Sequence, residues 1–163
     1  MTNPGSFDAR ELFRALARRD VEYVTIGGIA IQAYGGQRLT QDLDVAIASS
    51  TDNIARLAEA LLDLDARILG PDGQRSQSTP SAQLLASSDQ WHLITPHGPL
   101  DVLTLPAHLG SFAHMRARAH EVVLGELTVP IAHREDLLEM KRAAGRPQDL
   151  ADVRLLEALE EEG

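Results

Sequence analysis

At 163 residues, 44% hydrophobic and 24% charged, the chain has material for one domain with a real core and too little for two. With no cysteine, disulfides, a thiolate nucleophile and a cysteine-based zinc site are excluded. No apolar run approaches the roughly 20 residues of a membrane span, and no basic segment leads into an apolar one as in a signal peptide, so a cytoplasmic setting is expected. The net charge of −9 argues against an extended, non-specific DNA-binding surface, although arginines gather at Arg10 to Arg19, Arg116 to Arg118 and Arg134 to Arg146.

Ser6 to Asp20 reads as an amphipathic helix. Asp8 and Glu11 have capping-box spacing, and Leu12, Phe13 and Leu16 recur at helical period. Arg10, Arg14 and Arg18 form a separate stripe, read as a solvated face. The β-branched VEYVTI, Val21 to Ile26, predicts a strand. GGIAIQAYGG, Gly27 to Gly36, predicts a helix of about two turns between glycines, and DLDVAIA, Asp42 to Ala48, a second strand. A capped helix is expected over 49–66, with Ile54, Leu57, Leu61 and Leu64 on one face.

The Gly-, Pro-, Ser- and Gln-rich stretch 70–85 predicts a loop or a short helix. QWHLIT and LDVLTL around PHGP (96–99) predict a hairpin. A helix is expected over 109–120, then a second hairpin, EVVL and LTVPIA, around Gly125 and Glu126. A helix from His133 ends at Gly145, and Pro147 opens the last one. With no repeat or linker, the expectation is one α+β domain over 1–163, with 1–110 as its core and 111–163 as a hairpin and helical C-terminal portion.

The chemistry concentrates between Gly27 and Ile47. Asp42 and Asp44 share one face of an alternating strand. Two like charges at a core strand repel, and desolvation makes that worse. A divalent cation between them removes the conflict. Oxygen ligands without cysteine or paired histidine select Mg²⁺ or Mn²⁺ over zinc. Gly27 and Gly28 follow a strand and open a helix, where missing Cβ atoms let backbone N–H groups approach an anion. A metal pair and a phosphate acceptor at neighbouring strand ends point to a magnesium nucleoside triphosphate, although neither a P-loop nor G-x-G-x-x-G is present.

Asp101, the one acid within LDVLTL, fits as a third carboxylate and makes a two-metal displacement at phosphorus available. Lys141 lies on the stripe marked by Leu137, Leu138 and Ala144, where a lysine snorkels or meets an anion; a triphosphate contact is the expectation. Asp149 and Asp152 fall in the first turn of the last helix, where the helix dipole alone accounts for acids. His108, His114 and His120 recur every sixth residue and share no helical face, which argues against a histidine metal cluster. His92 and His97 are placed at the border of the site. Trp91 and Tyr34 read as packing residues, with lining of the nucleotide pocket as the alternative for Tyr34.

The pattern GG-x-A-x-x-x-YG-x-x-R-x-T-x-DLDV, Gly27 to Val45, resembles the active-site signature of the nucleotidyltransferase superfamily, the DNA polymerase β-like fold. More closely, the chain resembles the AbiEii/MenT-type nucleotidyltransferase toxins, which also carry an R-x-T-x-D-[LIV]-D block and a late K…R-x-x-D block, here EMKRAAGRPQDLADV. The resemblance covers Val21 to Ile47, Asp101 with its strand, and His133 to Leu159; no motif covers 67–93. It implies a mixed sheet with flanking helices and a helical C-terminal segment closing one side of a cleft. The implied activity is Mg²⁺-dependent transfer of a nucleoside monophosphate from an NTP to an acceptor hydroxyl, with release of pyrophosphate.

In that scheme Asp42 and Asp44 are metal ligands, and Asp101 is the third carboxylate and base. Gly27 and Gly28 hold the β- and γ-phosphates, while Arg38, Thr40, Lys141 and Arg146 lie toward the nucleotide. Asp149 orients Lys141 or Arg146. Where some relatives have serine, this chain has Gly28, so a hydroxyl contact to phosphate is lost. For a toxin the implied acceptor is the tRNA 3′ end, bound through Arg10 to Arg19, Arg116, Arg118 and Arg134, and the implied partner is a separately encoded antitoxin. Two alternatives stay open. One is a small-molecule enzyme of the aminoglycoside or lincosamide type, whose negative cleft suits a cationic drug. The other is an inert relative acting as a binding or antitoxin module.

Overall fold

The computed structural model describes residues 6–37, 39–105 and 112–162, so Arg38 and His108 lie outside the described residues. The chain runs α1 (Ala9–Arg18), β1 (Tyr23–Ile26), α2 (Gly27–Ala33), β2 (Leu43–Ile47), α3 (Thr51–Asp63), β3 (Arg67–Ile68), α4 (Ala82–Leu85), β4 (Gln90–Thr95), β5 (Gly98–Thr104), α5 (Phe112–Arg118), β6 (His120–Leu124), β7 (Leu127–Ile131), α6 (Arg134–Ala144) and α7 (Pro147–Glu162). The strands form one mixed sheet in the order β3-β4-β5-β2-β1-β7-β6. β2 runs parallel to β5 and β1 parallel to β7, while the other neighbours are antiparallel. The two expected hairpins are thus the two wings of the sheet, and β1 with β2 is its centre.

The centre is the most apolar part. β1 is buried throughout, and in β2 only Asp44 is partly exposed, as expected for central strands covered on both faces. β5 alternates strictly, with Leu100 and Val102 buried and Asp101 and Leu103 on the opposite face. Leu12 and Leu16 of α1 and Leu57 and Leu61 of α3 are fully buried in the same core, and α1 and α3 contact each other. Their caps follow the sequence: Asp8 accepts from the Glu11 N–H at 3.3 Å, and Ser50 Oγ from the Asn53 N–H at 3.2 Å. Asn53, itself fully buried, accepts from the Glu22 N–H and donates to the Glu22 and Ala48 carbonyls. It thereby ties α3 to the outer ends of β1 and β2 and leaves their other ends clear.

Several details differ from the sequence reading. The helix expected to reach residue 66 stops at Asp63, because Asp65 takes a left-handed φ of 51° that aspartate tolerates better than most residues. The two-residue edge strand β3 follows, where no element was expected. The β4–β5 turn tightens to Pro96 and His97, since Thr95 pairs with Gly98; the Thr95 hydroxyl donates to the Gly98 carbonyl and accepts from the His97 N–H. Ala144, placed on the buried stripe of α6, is exposed at the helix end, while Leu137 and Leu138 are buried.

Candidate active site

Register brings the acids together. Ile26 pairs with Asp44, Asp44 with Asp101, and Asp101 with His92. These residues form one row across β1, β2, β5 and β4, each about 4.8 Å from the next strand. Asp42 precedes β2 by one residue and reaches the same point. One carboxylate oxygen from each of Asp42, Asp44 and Asp101 lies within 4.8 Å of the others, and all three residues are half-buried. Among the described residues this is the one such grouping of three metal-ligating side chains.

That crowding is costly without a counter-ion. The Asp44 carboxyl is pushed up to about 8, first by burial, then by the Asp42 charge and by sharing a hydrogen bond with Asp101, with Lys141 opposing. His92 Nδ1 lies 2.8 Å from Asp101 Oδ1, so Asp101 has a partner on its far side. The crowding fits a hard divalent cation: carboxylate oxygens within 4.8 Å of one another need positive charge to ionise together.

The glycine turn serves this packing. Gly27 has φ +73°, and a Cβ there would sit 2.0 Å from Asp44 Oδ2. Only glycine gives the chain this backbone and leaves room for the carboxylate. α2 spans only seven residues, a short helix for a dipole, and the contact that the geometry shows for Gly27 is the steric one with Asp44. Gly27→Ala is expected to cost at least about 1–2 kcal/mol from backbone strain and to displace Asp44, so that added Mn²⁺ no longer raises the melting temperature. A melt like that of wild type, with the same Mn²⁺ response, would refute this.

The opposite wall comes from α6 and the start of α7. A cavity of about 420 Å³ is lined by Gly27, Gly28, Thr40, Asp42, Asp44, His92, Asp101, Lys141, Arg146 and Asp149, with Leu137 and Met140 as apolar backing. The sequence-chosen residues other than Arg38 therefore face one space. Lys141 Nζ lies 3.0 Å from Asp152 Oδ2 and 3.4 Å from Asp149 Oδ1. Asp149 also accepts from Arg146 Nε at 2.6 Å and from the Arg146 N–H at 3.2 Å, and this holds its carboxyl below the usual range. Asp149 thus touches both Lys141 and Arg146, and the dipole reading of its position is incomplete. Asp152, expected in the first turn, lies beyond it, since only Asp149 falls in the first turn of α7, and it holds Lys141 as closely; its i+3 spacing from Asp149 was the available signal.

His92 lines the cavity, while His97 sits at the hairpin tip, its carbonyl accepting from the Asp8 N–H. Trp91 donates to the Leu85 carbonyl and Tyr34 to the Ala132 carbonyl, so both pack outside it. A wider, open cavity of about 1370 Å³ adjoins on the side of Thr40, Asp42 and Gln148 and extends past Leu39 to Arg67 and Arg75. Several surface arginines are engaged in ion pairs: Arg14 with Glu11 and Glu126, Arg19 with Asp63, Arg116 with Glu121, Arg118 with Asp136, and Arg134 with Glu160.

No protein-family profile matches the chain, and no curated protein matches it in sequence. Solved structures do match in shape. Lincosamide antibiotic adenylyltransferase LnuA, lincomycin-bound, superposes with a TM-score of 0.63 at 14% identity, covering 95% of this chain and 99% of that one. ANT(2″)-Ia, in complex with adenylyl-2″-tobramycin, gives 0.59 at 16% identity over 93% and 90% of the two chains. An antigenic nucleotidyltransferase-like protein from Paracoccidioides brasiliensis gives 0.58 at 17% identity over 94% and 77%. The chain has the nucleotidyltransferase fold: the mixed sheet with flanking helices that the sequence signature implied. Among the described residues no helix is long and apolar enough to cross a membrane.

Proposed function

We propose that the chain is a divalent-metal-dependent nucleotidyltransferase that moves a nucleoside monophosphate from an NTP to an acceptor hydroxyl. The observation that carries this is the grouping of Asp42, Asp44 and Asp101 within 4.8 Å, in one cavity with Lys141, Arg146 and the Gly27 turn. Asp42 and Asp44 are the ligands for Mg²⁺ or Mn²⁺, with Asp101 as third ligand. When bound, the metal neutralises the triphosphate and lowers the pKa of the attacking hydroxyl. Lys141 and Arg146 are the two cations that line this cavity; both also hold Asp149, which orients them for an NTP. Asp101, held by His92, is placed to take the proton as the acceptor oxygen bonds to the α-phosphorus and the bond to pyrophosphate breaks. An inert module is disfavoured, because crowded carboxylates that force Asp44 toward neutrality are a cost that a pure binding surface has no use for.

The wider cavity beside Asp42 is the acceptor side of this reading. The leading acceptor is the tRNA 3′ end, with the chain as a cytoplasmic toxin held by an antitoxin protein. It rests on the resemblance of the Gly27-to-Val45 and EMKRAAGRPQDLADV motifs to the AbiEii/MenT type. A second reading, a small cationic acceptor, is favoured by a specific observation: of the arginines at Arg10 to Arg19, Arg116, Arg118 and Arg134 on which RNA binding would rely, Arg14, Arg19, Arg116, Arg118 and Arg134 each hold a carboxylate. Incubation with labelled NTPs, Mg²⁺ and either total tRNA or a panel of aminoglycosides and lincosamides separates the two. Label on RNA is the expected result. Label on a drug alone would move the assignment to the second reading, and no transfer to any acceptor, with no NTP binding, would end both.

A further inference from the structure

Thr40 is bound into the metal grouping in a way that neither cavity wall explains. Its hydroxyl lies 3.2 Å from both the main-chain carbonyl oxygen and Oδ1 of Asp42. It has one proton to give, shared between those two acceptors. Across the gap, Thr40 packs on the bare Cα of Gly28: a Cβ there would sit 2.8 Å from Thr40 Oγ1 and 3.0 Å from Thr40 Cβ. Gly28 is therefore small because Thr40 leans on it. Asp42 precedes β2 and lacks the strand pairing that fixes Asp44 and Asp101. Its carboxylate depends on local contacts for its direction.

From this we propose that Thr40 is the positioning residue of the metal site. Wedged against Gly28, it turns the Asp42 carboxylate toward Asp44 and Asp101, so that the three oxygens converge before any ion arrives. The inference rests on the metal-site reading and assigns Thr40 to Asp42 rather than to the nucleotide. Hydrogen-bond partners of ligating carboxylates typically govern metal affinity by 10- to 100-fold. A Thr–Asp pair two residues apart is also common as plain turn chemistry. That bland role would show in stability and leave metal binding alone.

The test is Mn²⁺ titration of the nucleotide-free protein, followed by electron paramagnetic resonance, with melting of the metal-free protein alongside. Thr40→Val keeps the shape and removes the proton; it is expected to weaken Mn²⁺ binding roughly 10-fold with little change in the metal-free melt. Thr40→Ser keeps the hydroxyl and should bind within about twofold of wild type. Gly28→Ala retains the hydroxyl but displaces it, and should weaken binding as Thr40→Val does. Thr40→Val binding Mn²⁺ as wild type does, while Asp42→Asn does not, would overturn this assignment and leave the metal site standing. Wild type that binds no Mn²⁺, or Asp42→Asn that binds it normally, would overturn both.

Discussion

Asp44→Asn should abolish transfer while making the metal-free protein more stable at alkaline pH. Asp44 is the carboxylate with neighbours on every side: Asp42 before it, Asp101 across the parallel pair, and Gly27 pressed against its Oδ2. Its carboxyl rises from 3.8 to about 8. Raised in the folded state, it stabilises the metal-free fold fully below about pH 4, and this contribution is lost as pH climbs through about 8. Wild type minus mutant is the informative difference, because groups remote from Asp44 cancel in it and what remains belongs to Asp44 with the carboxylates coupled to it. The two metal-free melting temperatures should be nearest at pH 5 and diverge toward pH 9, with the mutant higher by the equivalent of about 1–3 kcal/mol. Mg²⁺ competes with the proton, so its stabilisation of wild type should grow over the same interval and be absent in the mutant. Transfer should fall by about 10³-fold or more, as the metal loses a ligand and the triphosphate its counter-charge. A mutant with wild-type turnover, or a melting difference independent of pH, would contradict this account of the site.

How much of this could be read from the sequence depends on how local each piece is. The D-x-D pair is local, and strand alternation alone put Asp44 at a core edge facing one way. Asp101 needed only its odd position within an apolar strand. Sheet order is different. Nothing in Leu127 to Ile131 says that it lies beside β1 rather than in a separate hairpin, yet Thr25 pairs with Ile131 and so anchors the wing that leads into α6. His92 was visible as a residue near the site, but its bond to Asp101 exists because the β4–β5 turn has two residues instead of four. A one-residue slip would have pointed it at the other face. Asp152 went unrecognised because it reads alongside Asp149 as a first-turn acid, for which the helix dipole is reason enough, whereas it lies beyond the first turn of α7. Its contact with Lys141 depends on how α7 folds back on α6, which no spacing within either helix encodes. The motif places Thr40 toward the nucleotide, while the contact on which its proposed positioning role rests, Asp42, is two residues away.

Lys141→Met is expected to fail in two separable ways. The lysine side chain is 17% exposed and sits against Asp149 and Asp152, whose side chains are 2% and 6% exposed. Taking the ammonium away strips a shared cation from two buried carboxylates and should cost about 2–4 kcal/mol. Arg146 keeps its hold on Asp149, whereas the Lys141–Asp152 ion pair is lost outright. Replacing Asp152 by Asn as well removes one of the two buried carboxylates that faced the ammonium, and the double variant Lys141→Met, Asp152→Asn should recover part of the melting temperature. If Lys141 serves only to neutralise those acids, transfer recovers with the fold. If it serves the triphosphate, transfer stays at least about 10²-fold down, because a thioether cannot answer developing charge on phosphate. The lysine's position in the same cavity as the three carboxylates, and its pull on the Asp44 carboxyl, favour the second outcome. A stable double variant with restored transfer would confine Lys141 to the scaffold and leave Arg146 as the cation that meets the nucleotide.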